Sequence, residues 1–181
     1  MEKIETTGRA LARDKSVNPT ARRWMKLLHV IFSASWFGGN LSLILLNFMT
    51  PRPDTASALV LQHVIFHSIA TTIVATASIL SLLSGLLLCW KSSWGFFRHR
   101  WVVVKIIVTL VVIVFCATIS GLAIEETIEL SRTLGMEALH NEAYLGNAIL
   151  SAVVQPAIFA ILVFLAYLSI FKPWSKRKSA E

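Results

Sequence analysis

Histidine and lysine are the side chains of this sequence best able to do chemistry in an apolar setting. His29 lies in one long apolar segment and Lys105 lies near the start of another, while His63 and His67 are four residues apart in a third. A neutral imidazole can ligate a transition metal or a haem iron, and a buried lysine can lose its proton and act as a ligand. Because ionisable side chains are costly in an apolar setting, their presence there favours a function.

The segments that carry these residues are long and uncharged. The 181-residue chain is 55% hydrophobic and 15% charged, whereas soluble domains have about 45–50% apolar and about 25% charged residues. Residues 27–51, 55–90, 106–124 and 143–171 contain no Asp, Glu, Lys or Arg, and about 20 apolar residues span a bilayer as a helix. The sequence therefore predicts an all-α integral membrane protein, an antiparallel four-helix bundle with spans at 24–49, 57–90, 101–124 and 146–171.

The spans leave too little chain for a second domain. We expect one membrane domain, residues 1–181, with a polar tail at 1–18 and a basic tail at 172–181. A cleaved signal peptide is not expected, since the first apolar run is too long and follows a 26-residue polar lead. Cys89 and Cys116 fall within spans, and their spacing indicates packed thiols rather than a disulfide or a redox dithiol.

The position of the basic residues predicts the topology. A net charge of +7 would suit nucleic acid, but the charges cluster before span 1, between spans 2 and 3, and after span 4, with only Arg52 and Arg132 opposite. Basic residues concentrate on the cytoplasmic side, so both termini are predicted to be cytoplasmic, with anionic inner-leaflet lipids as partners and no nucleic acid. We expect a multi-pass protein of the bacterial inner membrane. Five of six tryptophans fall at the same span ends: Trp24, Trp90, Trp94, Trp101 and Trp174.

The depth of two ionisable residues within their spans predicts an inner candidate site. His29 lies five residues after Trp24, about 8 Å into its span, and Lys105 reaches nearly the same depth. An imidazole facing the interior of a bundle can be an axial haem ligand, with Lys105 as a second ligand if it is deprotonated. The alternatives are a hydrogen-bonding histidine and a lysine that extends to the headgroups. Arginines close to the inner boundary could pair with haem propionates: Arg22, Arg23, Arg98 and Arg100.

An outer candidate site follows from the two histidines of span 2. His63 and His67 share one helical face at i, i+4 and lie about 25 Å from His29 along the membrane normal, so one metal ion cannot bind both sites. The pair could chelate a transition metal such as copper or supply a haem ligand, with His140, Glu125 and Glu126 on the same side to complete a shell. The alternative is a pair of histidines that hydrates the outer mouth of the bundle.

Two segments resemble known membrane families. One segment is similar to the "LH…WxGG" opening of a first helix in two bacterial families; it consists of Leu27 to Val30 followed by Trp36–Phe37–Gly38–Gly39. The other segment, Arg100 to Lys105, is similar to the "RW…K" opening of a later helix in the same families. These are the copper-resistance D family and the oxygen-independent J-type protoporphyrinogen oxidases. The resemblance implies a haem b protein, with His29 and Lys105 at positions that the oxidase family needs for haem.

We therefore expect a haem b-binding membrane protein that acts in electron transfer or a haem-linked oxidation, with a quinone or a porphyrin as partner. Whether it is a membrane oxidoreductase is left open, as is a homo-oligomer. The first alternative is a copper-binding or copper-transport protein that uses the outer histidines. The second is an assembly subunit without catalysis, in which polar stripes hold the bundle together.

The first testable prediction concerns topology. Reporter fusions at the C-terminus and within residues 125–145 are expected to report opposite sides of the membrane, because the basic residues concentrate at both chain ends. Paired alkaline phosphatase and fluorescent protein fusions make the measurement. A periplasmic C-terminus would contradict the assignment of inner and outer sites.

Overall fold

The computed structural model describes residues 18–90 and 99–173, which form four long helices. These are α1 (Pro19–Met49), α2 (Ala56–Trp90), α3 (Arg100–His140) and α4 (Glu142–Phe171), each long and apolar enough to cross a membrane. No strand occurs in the described ranges, so the all-α, four-span prediction is confirmed. Residues 1–17 and 174–181, which make up most of the predicted tails, lie outside the described residues, as do Trp94 and Arg98.

Three of the four helices, α1, α2 and α4, begin at a side-chain cap. Asn18 accepts a hydrogen bond from the Thr20 backbone N–H at 3.0 Å, and Pro19 occupies the first turn of α1, where its missing N–H costs nothing. Asn141 caps α4 in the same way through the N–H groups of Ala143 and Tyr144. At about 1.5 Å per residue, helices of 30 to 41 residues exceed the roughly 30 Å hydrocarbon core, so each has room to tilt or to extend beyond it.

The segment after span 3 extends α3. Regular helix continues to Leu134, and a 3₁₀ turn, Gly135–His140, follows directly. The break occurs at Gly135, whose φ of +58° is a left-handed conformation that glycine adopts at low cost. The chain after the third span is therefore an extension of α3 and not a separate helix.

Helices that follow one another pack antiparallel. Between α1 and α2, His29 contacts Ser81 and Gly39 approaches Val74. Residue numbers therefore increase along one helix as they decrease along the other. Two contacts between α3 and α4 show the same relation: Lys105 with Ser169, and Glu126 with Asn147. Since α1 also packs on α4 and α2 on α3, the four helices form an up-down-up-down bundle.

The bundle has a mixed interior and an apolar exterior. Its main hydrophobic core centres on Trp36, Val112, Ile158 and Leu165, while buried serines and amides lie among them. Large apolar side chains on all four helices point outward, as they do when lipid rather than water surrounds a protein.

Two π-helical turns change which residues face the interior. They are Ile69–Ala75 in α2 and Cys116–Ser120 in α3. The sequence places His63, His67, Thr71 and Ser78 on one stripe, but Thr71 is exposed and bonds back to the His67 carbonyl at 2.8 Å. The wider turn rotates the chain, so the buried polar face of α2 continues through Ser78, Ser81 and Ser84.

Two adjacent glycines give a stability test. A Cβ on Gly39 would lie 2.9 Å from Val74 Cγ2 and 3.1 Å from Ile73 Cγ2, whereas a Cβ on Gly38 would meet nothing within 4 Å. Both neighbours are β-branched and stiff, so Gly39→Ala is expected to lower the free energy of unfolding by about 1–3 kcal/mol. Gly38→Ala, the matched control, is expected to be neutral or slightly stabilising. Equal effects in SDS unfolding would contradict the close approach of α1 and α2.

Candidate functional site

The His29 imidazole is held in a defined orientation between α1 and α2. Its Nδ1 lies 3.1 Å from the Ser81 carbonyl oxygen and 3.0 Å from Ser84 Oγ. A carbonyl oxygen can only accept, so the contact with Ser81 requires the Nδ1–H tautomer, which donates to it. The lone pair is then on Nε2, as it is in most metal-ligating histidines with a supporting hydrogen bond.

Small residues of α2 make room for this ring. A Cβ on Gly85 would lie 3.1 Å from His29 Cε1, so glycine permits the imidazole to lie against the backbone of α2. Ser33, one turn after His29, shares a 2.8 Å hydrogen bond with Ser81. We call His29, Ser33, Ser81, Ser84 and Lys105 the inner polar cluster.

Lys105 enters this cluster from α3. Its ammonium donates to Ser169 Oγ on α4, and Ser169 donates in turn to the Leu165 carbonyl. Lys105 also lies close enough to His29 and Cys89 to interact with both electrostatically. The structure therefore brings His29 and Lys105, which the sequence places at one depth, to the same part of the bundle.

The arginines near the inner end differ in their surroundings. Arg22 is half-buried, and its Nε atom is buried without a hydrogen-bond partner. It precedes His29 by seven residues, so the two share a face of α1. Arg100 is exposed at the first turn of α3, and Arg98 lies outside the described residues.

A buried amide pair crosses the middle of the bundle. Asn40 Nδ2 donates to Gln155 Oε1 at 2.8 Å, which joins α1 to α4. Asn40 is 1% exposed and its Oδ1 has no partner in the structure. Gln155 directly precedes Pro156, and α4 remains one helix through this proline.

The outer histidines have different partners. His63 Nε2 lies 2.9 Å from the Tyr144 hydroxyl, and the two rings meet edge to face with centroids 5.5 Å apart. His67 is half-buried, with Nδ1 buried and without a partner. His140 is exposed at the end of α3.

The structure gives little support to a multidentate metal shell at the outer end. Within residues 18–90 and 99–173, no group of three or more His, Cys, Asp or Glu side chains is placed to hold a metal ion. His140, Glu125 and Glu126 therefore do not join His63 and His67 in such a group. Glu126 instead accepts a hydrogen bond from Asn147 Nδ2 at 3.0 Å.

Some partners of these residues were not foreseen from the sequence. Tyr144 lies just before the predicted fourth span, and Ser81 and Ser84 were absent from the predicted stripe of α2. The sequence does contain a pattern that could have shown that these serines face another helix. Small residues repeat at helical spacing where membrane helices pack closely, and α2 has such a repeat at Ala77, Ser78, Ser81, Ser84 and Gly85. Nothing in the sequence pairs His63 with Tyr144, since 81 residues separate them.

Fold and polar interior together define a four-helix integral membrane protein. Residues 23–173 match the family described as "Predicted integral membrane protein (DUF2269)", and the chain belongs to that family. Neither a curated protein nor a solved structure gives a significant match. The resemblance to the copper-resistance D family and to the J-type protoporphyrinogen oxidases thus receives no support from these comparisons.

The central amide pair allows a test of interior packing. In a double-mutant cycle of Asn40→Leu and Gln155→Leu, the two single changes are expected to be non-additive by about 0.6 kcal/mol and at most about 1.7 kcal/mol, the range for hydrogen bonds between membrane helices. Unfolding in SDS gives the free energies. Ser42 bonds only within its own helix, so a control cycle of Ser42→Ala with Gln155→Leu is expected to be additive. Additivity in both cycles would contradict the α1–α4 contact.

Proposed function

We propose that this protein binds haem b through His29 Nε2 and acts in electron transfer or a haem-linked oxidation in the membrane. The observation that carries the proposal is the orientation of His29. Its Nδ1 is engaged by Ser81 and Ser84, and no described residue bonds to Nε2. An axial histidine is commonly fixed in this way, through a hydrogen bond from its other nitrogen.

The surroundings of His29 suit an anionic cofactor. Arg22, with its buried and unpartnered Nε, lies two helical turns toward the inner end on the same face of α1. Its guanidinium would pair with a haem propionate through charge-assisted hydrogen bonds. Arg100 adds positive charge at the inner end of α3. Bound haem would supply one-electron chemistry, whose potential the protein sets through the axial ligand and the surrounding charge.

We propose a charge role for Lys105 rather than ligation. Its Nζ is directed to Ser169 Oγ on α4, and a protonated lysine in that position cannot ligate a metal. A cation beside His29 would stabilise an anionic group there and would raise the potential of a bound haem. Ser81 and Ser84 would hold the imidazole, and Ser33 would hold Ser81.

Copper at the outer histidines is the second candidate. It rests on the buried, unpartnered Nδ1 of His67, one helical turn from His63. His63 Nε2 is engaged by Tyr144, and the described residues supply no third His, Cys, Asp or Glu ligand at this pair. Two imidazoles form a weaker site than the closed shells of known copper proteins. An assembly role without a cofactor remains if neither group binds.

The test of the haem proposal is cofactor content. His29→Ala is expected to lower pyridine-haemochrome haem per protein by tenfold or more, because the axial bond is lost. Adding imidazole is expected to restore part of the Soret band. Lys105→Met is expected to keep most haem and lower the midpoint potential, since a nearby positive charge is removed.

His140→Ala is the matched control, because His140 is exposed and lies at the opposite end of the bundle. It is expected to retain full haem content. A colourless parent protein, expressed with haem synthesis intact, would refute the proposal, and so would full occupancy in His29→Ala. Copper analysis of His63→Ala and His67→Ala in the same preparations tests the second candidate: an unchanged copper content would remove it.

A further inference from the structure

A second polar site lies at the outer end of the bundle. A partly enclosed cavity of about 130 Å³ is lined by residues of all four helices. We call it the outer cavity. Its polar lining includes Asn47 of α1, Gln62 and His63 of α2, Ser120 of α3, and Tyr144 and Ser151 of α4.

Several of these polar groups have no partner in the protein. Ser120 is 7% exposed, lines the cavity and makes no side-chain hydrogen bond in the structure. Asn47, Gln62 and Ser151 line the same space, and their side chains also make none. Ser120 is buried and the other three residues are half-buried. Polar groups removed from water are costly when they are unpaired, so four of them around one cavity indicate an occupant that forms hydrogen bonds.

The charge of the lining restricts this occupant. No Asp, Glu, Lys or Arg lines the cavity, and the nearest carboxylate that the structure connects to it, Glu126, accepts from Asn147 at 3.0 Å. A charged ligand would have no counter-ion inside the cavity, and its burial would be expensive. The occupant is therefore neutral.

The volume of the cavity and the apolar part of its lining restrict the occupant further. An engineered cavity of about 150 Å³ takes up benzene, so about 130 Å³ accommodates most of a six-membered ring. Leu46, Phe66, Ile124 and Leu150 supply apolar surface for the faces of such a ring. The amide and hydroxyl donors of the other wall suit carbonyl oxygens.

The position of the cavity agrees with a ligand that arrives through lipid. Ser120 lies 19 residues after Trp101 and Ser151 lies 20 residues before Phe171, which is about 28–30 Å along either helix. Because the hydrocarbon core is about 30 Å thick, the cavity lies at the membrane interface on the outer side.

We propose that the outer cavity binds the headgroup of a membrane quinone, a neutral ring with two carbonyl acceptors. Asn47 and Gln62 donate from their amides, and the hydroxyls of Ser120 and Ser151 donate from the other two helices. The site is independent of haem at His29, since His63 lies 18 residues before Ser81, about 27 Å along α2. Quinone binding and haem binding can therefore succeed or fail separately.

The test measures binding of decylplastoquinone to the full-length protein in nanodiscs. Saturable uptake of about one quinone per chain, above the uptake of empty nanodiscs, is expected by chromatography of the extracted discs. Ser151→Phe fills the cavity and is expected to weaken binding at least tenfold. Val153→Phe, on the lipid-facing side of the same helix, is the matched control and is expected to bind as the parent does.

A second variant distinguishes the loss of a ligand contact from misfolding of the protein. Ser120→Ala removes one donor without adding volume and is expected to weaken binding severalfold while the SDS unfolding midpoint stays unchanged. Uptake by the parent equal to that of empty nanodiscs would overturn the proposal and leave a cavity that holds water only. Saturable binding that Ser151→Phe and Ser120→Ala leave unchanged would overturn it too, because the quinone would then bind elsewhere.

Discussion

Lipid offers polar side chains no hydrogen bonds, and this constraint organises the whole molecule. A His, Lys, Asn or Gln within the four spans is stabilised when it finds a partner on another helix or lines a cavity. Apart from His67, whose buried Nδ1 has no partner, the buried and half-buried ones among the described residues do so, and their direct pairs lie at three depths. His29 and Lys105 mark the inner one, Asn40 and Gln155 the middle one, and His63 with Tyr144 the outer one.

Close helix packing makes these contacts feasible. Short side chains let α1 approach α2 until Gly39 is covered by Val74 and Gly85 by the His29 ring. Lipid supplies no hydrophobic driving force for helix association, so van der Waals contacts and hydrogen bonds hold α1 and α2 together. The same closeness fixes the tautomer and direction of His29, which links the packing to the proposed ligation of haem.

The apolar spans and the capped helix starts were predictable because each depends on local sequence. The uncharged runs determine the number of spans, and Asn18–Pro19 determines where α1 begins. The common depth of His29 and Lys105 was also predictable, since helical rise per residue is constant. Which face of α2 is buried was not predictable, because the π turn at Ile69–Ala75 rotates the helix and moves Thr71 outward. Long-range pairs such as His63 with Tyr144 depend on how the helices dock, which no local pattern encodes.

The inward orientation of the polar residues is the central claim, and disulfide cross-linking tests it most directly. Ser33 and Ser81 have hydroxyl oxygens 2.8 Å apart, so cysteines at both positions, with Cys89 and Cys116 replaced by alanine, should cross-link in membranes under mild oxidation. A protease site between residues 50 and 55 reveals the link, because the cut fragments then stay joined until reduction. Cysteines at Ala34 and Leu83, which are exposed, should give separate fragments. Cross-linking of that exposed pair, with none between positions 33 and 81, would contradict the account.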